Sequence, residues 1–213
     1  MTLLFFLPLF AVIIFDVLVK QSHGVIYPFG ANLTVGYPAA PNQQGLSEMI
    51  VLQSEFGIYL SIVVTSIIAA VGLAGGMYVV RNMVWTEGIF VSNDFWRGVK
   101  LNFSNSLQAA LTFSIVLMMS KMMINLANFS LAAGNLTEFQ TVMFHISSAL
   151  SYVLIVVAAM LTLWMIALGV NYKLSAGALF KNAFLVTIGT LPQTVFFGAL
   201  ALLPVLCFVI GGE

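Results

Sequence analysis

Four ionisable residues stand where the surrounding chain is apolar enough to lie in lipid: Asp16, Glu55, Lys121 and His145. Lys121 is the sharpest of them. It is set in LMMSKMMINLAN, and an unpaired ammonium inside hydrocarbon costs on the order of 3 kcal/mol or more. It therefore needs an anionic partner, a water-filled cavity, or an interface within reach of its stem. Pairing of Asp16 with Lys121, joined by Glu55 and His145, would make a polar site able to hold a solute or relay protons. On that reading Lys121→Met abolishes binding or transport without lowering membrane abundance. The alternative is that Lys121 snorkels to the interface and no site forms.

Other chemistry finds little support. The glycines from Gly72 to Gly76 are not a phosphate loop, because no Lys-Ser or Lys-Thr follows at the required spacing. His23 and His145 are far apart, and no His-x-x-Glu, Cys-x-x-Cys or Gly-x-Ser-x-Gly pattern occurs. Asp16 has no second carboxylate in its own apolar run, as intramembrane proteolysis would require. The expectation is a protein that is not an enzyme and holds no metal or cofactor. Cys207 is the only cysteine and lies in an apolar run, so it forms no intramolecular disulfide. The Asn-x-Ser/Thr triplets at Asn32, Asn102, Asn128 and Asn135 are too short a pattern to carry weight.

The elements that position these residues follow from composition. With 61% hydrophobic residues, 7% charged residues and a mean hydropathy of +1.08, the chain lies far outside the soluble range. Crossing a hydrocarbon core of about 30 Å takes roughly 20 helical residues. The long apolar runs predict an all-α integral membrane protein, a single-domain bundle of about five transmembrane helices, over residues 3–19, 57–80, 107–126, 146–170 and 183–210. These runs are unbroken rather than alternating, which excludes a β-barrel. The first run lacks a basic leading region and a small-residue cleavage site, so it is expected to be a span rather than a removed signal. Gly189 and Pro192 should loosen the fifth span, and Pro204 should bend it.

Basic loops stay on the cytoplasmic side. Arg81, Arg97 and Lys100 lie between spans two and three, and Lys173 and Lys181 between spans four and five; the other side has Lys20 alone, with Glu48, Glu55 and Glu138. The expected topology is a multi-pass protein of the cell membrane with a cytoplasmic amino terminus and an external carboxyl terminus. The external loop over residues 20–56 holds Tyr27-Pro28, Tyr37-Pro38 and four glycines, with enough apolar residues for a small cap over the helix ends. Zero net charge and scattered basic residues exclude nucleic acid as a partner.

Between spans two and three, Ser92-Asn93-Asp94 offers a helix cap before Phe95. Phe95, Trp96, Val99 and Phe103 then recur at near-helical spacing, which predicts a short interfacial helix before span three. Its rings and cations are either ordinary interfacial anchors or a docking surface made of Arg81, Glu87, Asp94, Phe95, Trp96, Arg97 and Lys100. Gly72 and Gly76 form a GxxxG pair suited to close helix packing, within the chain or between subunits.

The same region carries a family resemblance. Gly72-Leu73-Ala74-Gly75, Tyr78-Val79-Val80-Arg81-Asn82, Glu87, Phe90-Val91-Ser92-Asn93-Asp94-Phe95-Trp96 and Lys100-Leu101-Asn102-Phe103 resemble the YesL-type multi-span membrane proteins of Gram-positive bacteria. Lys181-Asn182-Ala183-Phe184 and Thr190-Leu191-Pro192-Gln193-Thr194 extend the resemblance over about residues 57–213. Gln193 departs from the Arg expected there. The resemblance implies a transport-associated subunit, accessory or permease-like, working with a cytoplasmic ATPase in carbohydrate uptake. The competing expectation is a structural or assembly subunit that moves nothing. Expected partners are the lipid bilayer and other membrane subunits or further copies of this chain.

Overall fold

The computed structural model describes residues 1–22, 46–85, 90–193 and 196. Five helices follow in chain order: α1 (Thr2–Ser22), α2 (Leu46–Trp85), α3 (Val91–Ala133), α4 (Glu138–Asn171) and α5 (Ala176–Gly189). No strand occurs among the described residues. Among them α1 to α4 are long and apolar enough to cross a membrane, and α5 is a shorter apolar helix. The protein is an all-α membrane bundle.

Its packing is inverted relative to a soluble domain. Large apolar side chains cover the outside, among them Leu3, Phe15, Val64, Ile115, Val153 and Leu163. The interior is lined by small and polar ones. The buried face of α3 includes Gly98, Asn102, Ser106, Ala109, Ser114 and Asn125. Lipid gives two helices no hydrophobic reason to associate, so close backbone approach and interhelical hydrogen bonds hold them together. Hydroxyls on the spans are kept harmless by bonding back to their own helix. Ser61 donates to Gly57 O at 2.8 Å, Thr162 to Ala158 O at 2.8 Å and Thr187 to Ala183 O at 2.8 Å.

Neighbours in sequence are neighbours in space: α1 lies on α2, α2 on α3, α3 on α4 and α4 on α5. Beside α3, the residues Leu161 and Met165 of α4 meet Leu179 and Ala183 of α5 in one buried cluster with Ala109. Gly134 ends α3 with φ 74°, a left-handed conformation that an L side chain resists. Thr137 then opens α4 with a capping box, in which its backbone N–H donates to Gln140 Oε1 at 3.0 Å and its hydroxyl accepts from Gln140 N. Only 134–137 separate the two helices, so they run antiparallel.

Several boundaries differ from those expected. The external loop over 20–56 is shortened at both ends, because α1 continues to Ser22 and α2 begins at Leu46; residues 23–45, with the expected cap, lie outside the described residues. There is no separate interfacial helix, since Val91–Ala133 is one continuous helix. Nothing between Trp96 and Leu107 breaks it: Gly98 is held against α2, and Asn105 and Gln108 donate to carbonyls of α4 and α5. The expected Ser92-Asn93-Asp94 cap is replaced by Phe90 at the cap position, whose backbone N–H donates to Asp94 Oδ2 at 3.1 Å. The helix α5 begins at Ala176, earlier than the expected 183, and closes at Gly189, with a turn at Thr190 and helical residues again over 191–193; the expected remainder of the fifth span to 210 lies almost wholly outside the described residues. Pro192 has no N–H to donate, and its ring crowds the carbonyl four residues back. Most of 194–213 lies outside the described residues.

Candidate functional site

Polar groups gather at both ends of the α2–α3 pair. At one end Glu55 of α2 is 2% exposed. Its carboxylate Oε2 accepts a hydrogen bond from the side-chain amide of Asn125 on α3. One turn along α2, buried Tyr59 lies within electrostatic reach of both Glu55 and Asp16, so α1, α2 and α3 each contribute to this cluster. An open groove between α1 and α2, lined by Val12, Phe15, Val19, Ser54, Ile58 and Ser61, runs beside it. Further along the same interface Ser66 and Ser114 are buried and 3.1 Å apart, oxygen to oxygen.

Of the four residues singled out in the sequence, Asp16 and Glu55 both lie within electrostatic reach of Tyr59. Lys121 and His145 do not join them. Lys121 is half-buried and His145 exposed, and neither makes a hydrogen bond or ion pair with another described residue. The antiparallel register that sets Glu55 against Asn125 and Ser66 against Ser114 places Lys121 level with Tyr59. The cluster is thus made of carboxylates, a phenol and an amide rather than a carboxylate–lysine pair. Tyr59 and Asn125 were not anticipated. Asn125 follows Lys121 by four residues and so shares its helix face, which was the available signal.

The opposite end is built around Arg81. Here α4 stops, and its last carbonyls would be orphans. Arg81 of α2 donates to Val170 O at 3.0 Å, Asn105 of α3 donates to Gly169 O at 3.1 Å, and Tyr172 N–H donates to Leu168 O at 2.8 Å. Two neighbouring helices thus cap a third. Gln108 of α3 reaches the start of α5 and donates to Ala176 O at 2.9 Å. Between these elements opens a cavity of about 600 Å³, lined by Tyr78, Arg81, Asn102, Asn105, Lys173 and Ser175 among others.

The proposed docking residues divide. Phe95 is 1% exposed: its ring fills the space above Gly75 and stacks on Phe5 of α1 at 5.8 Å. It belongs to the core of this end. Arg81 is engaged with α4, and Asp94 holds the Phe90 N–H. Trp96 is half-exposed and meets Phe5 and Phe95 edge-on, while Arg97 and Lys100 are exposed, so these three remain as surface. Glu87 lies outside the described residues. Gly72 and Gly76 face α1, where Thr2, Phe5 and Phe6 fill the space in front of them. That glycine pair is an internal seam.

No family model, curated protein or solved structure matches this chain. The YesL-type resemblance rests on the residues quoted for it alone.

Proposed function

We propose that the protein is a transport-associated subunit of the cell membrane, accessory or permease-like, with the Arg81 end and the amino terminus in the cytoplasm and the carboxyl terminus outside. Arg81, Arg97, Lys100 and Lys173 share one end with the start of α5, whereas Asp16, Glu55 and Glu138 belong to the other, which supports this orientation. The observation that carries the transport reading is Glu55. A carboxylate 2% exposed and packed between two spans, sharing a buried phenol with a second carboxylate, is a cost to the fold that service to a polar solute or a proton would account for. The donors and acceptors of this cluster suit a small hydroxylated solute entering from outside. Carbohydrate uptake and kinship with the YesL-type proteins belong to the same proposal, as does a cytoplasmic ATPase engaged by Trp96, Arg97 and Lys100.

The test is uptake of labelled mono- and oligosaccharides by cells lacking the protein, complemented with the wild type or with Glu55→Gln at equal membrane abundance. The reading expects uptake with the wild type, its loss in Glu55→Gln, and a nucleotide-hydrolysing subunit co-purifying after gentle extraction. Equal uptake by both strains, with only further copies of this chain recovered, refutes it. That outcome favours the structural or assembly subunit, for which the specific support is the close-packed α2–α3 interface, where Ala74 is fully buried against Gly98.

A further inference from the structure

The cavity at the Arg81 end has an imbalance of hydrogen-bonding groups that the helix caps do not use up. The carbonyls at the end of α4 are already taken: those of Leu168, Gly169 and Val170 accept from Tyr172 N–H, Asn105 and Arg81. The cavity's donors are not. Asn102 lines the cavity, is 8% exposed, and its amide nitrogen has no hydrogen-bond partner. Arg81 directs one nitrogen to Val170 O, and a guanidinium carries five N–H donors. Lys173 stands on the rim, exposed. Ser175 opens α5 without a side-chain cap and lines the cavity, so the positive end of that helix's dipole lies at its edge. No Asp or Glu is among the lining residues.

Two cationic side chains, an orphaned amide donor and an uncapped helix start converge, with no acidic group to answer them. We infer that this cavity binds a phosphate oxyanion, the ester group of an anionic lipid headgroup or a soluble phosphorylated molecule. Arg81 supplies directed donors to the oxyanion, Lys173 adds charge at the mouth, and the Asn102 amide nitrogen, which lies closed off behind the cavity wall, gains the partner it lacks by a turn of its side chain. At about 600 Å³ the cavity is far roomier than a bare phosphate needs, and it falls in the range of pockets for small organic ligands. The site is independent of the Glu55 cluster, at the other end of the bundle.

The experiment uses the full chain purified in detergent and read by native mass spectrometry and thermal stability. It is titrated with phosphatidylglycerol, phosphatidylcholine or inorganic phosphate. Lys173→Gln and Asn102→Leu each remove one of the cavity's donors without touching the α4 caps, and Lys100→Gln removes an exposed cation outside the cavity. The expected result is retention of phosphatidylglycerol about tenfold over phosphatidylcholine, falling several-fold in Lys173→Gln and Asn102→Leu and unchanged in Lys100→Gln. Stabilisation by inorganic phosphate, lost in the same two variants, with no lipid preference, identifies a soluble phosphorylated ligand and supports the same chemistry. Equal retention of both lipids with no response to phosphate overturns the proposal. So does an equal loss in Lys100→Gln, because surface charge alone would then explain the binding.

Discussion

Two chemically identical substitutions on this bundle should have opposite effects. A Cβ added at Gly98 of α3 would lie 2.9 Å from Cγ of Tyr78 and 3.0 Å from the backbone oxygen of Ala74, against 3.4–4 Å for ordinary contact. Tyr78 is 8% exposed and Ala74 fully buried, and a backbone oxygen cannot swing away as a side-chain tip can. Relief requires α3 to move off α2, and a gap of even 0.5–1 Å forfeits about a quarter to a half of each contact's dispersion energy. Overpacking of this kind costs roughly 1–3 kcal/mol. A helical Gly→Ala change recovers about 0.5–1 kcal/mol of backbone entropy. Gly98→Ala should therefore be destabilised by about 1–2 kcal/mol. At Gly57 of α2 nothing lies within 4 Å of the new Cβ, so Gly57→Ala keeps only the gain. The two variants should differ by the overpacking cost alone, about 1–3 kcal/mol, or roughly 2–12 °C in Tm for a chain of this size. Thermal unfolding in one detergent, compared with the wild type, measures it. If Gly98→Ala melts within a degree of Gly57→Ala, the close approach of α2 and α3 at Gly98 is wrong.

Three further outcomes test separate parts of the fold. Thr137→Ala removes the capping box of α4 and should lower stability by about 1 kcal/mol, with Thr137→Asp largely restored, as read by the same melts. For Ser66 and Ser114, a double-alanine cycle should return a coupling near 0.6 kcal/mol, the scale of interhelical hydrogen bonds in lipid; a value of zero would mean the hydroxyls are satisfied by their own helices alone. Lys121→Met breaks no observed hydrogen bond or ion pair, so its melt should stay within about 0.5 kcal/mol of the wild type, whereas Asn125→Leu deprives the Glu55 carboxylate of its amide donor and should cost about 1–3 kcal/mol.

How much of this was legible beforehand depended on whether the signal was local. Four long apolar runs name four spans, because the length of an apolar stretch is a property of the stretch itself. Boundaries were another matter. Asn102 and Asn105 precede the expected start of span three at 107, yet both stand on the same continuous helix as Gln108, and Asn105 and Gln108 bond to carbonyls of other helices. The partners come from residues more than 60 positions away, which no local window contains. Phe95 misled for the same reason. An aromatic beside Trp96 and Arg97 suggests an interfacial ring, and only the glycine on α2 that faces it, Gly75, makes it a core residue. A clue was nonetheless present. On α3, Gly98, Asn102, Ser106, Ala109 and Ser114 recur at helical spacing, and a small-and-polar stripe on an otherwise apolar helix marks the face turned toward neighbours.

The charges, taken together, also remove the difficulty raised by Lys121. On α2 no charged residue occurs over 56–80, on α3 none over 101–120, and α1 carries no charged side chain before Asp16. The uncharged belt of α2 is bracketed by Glu55 and Arg81, roughly 39 Å apart along the helix. A bilayer's hydrocarbon is about 30 Å thick, and about 40–45 Å with its headgroup regions. Glu55 and Arg81 therefore fall at the two headgroup levels rather than near the midplane. Lys121, level with Tyr59, lies only about one turn inside Glu55. Its four-carbon stem can cover that distance, so its ammonium reaches polar surroundings without an ion pair. The lengths of the helices agree. The 40 residues of α2 and 43 of α3 extend roughly 60 and 65 Å, and a tilt of about 40° still leaves them longer than the hydrocarbon is thick. Their ends must stand in water. At the Arg81 end that places the open cavity where solvent and lipid headgroups meet, so a half-buried guanidinium and an orphaned amide there lie close to a supply of anions rather than in hydrocarbon.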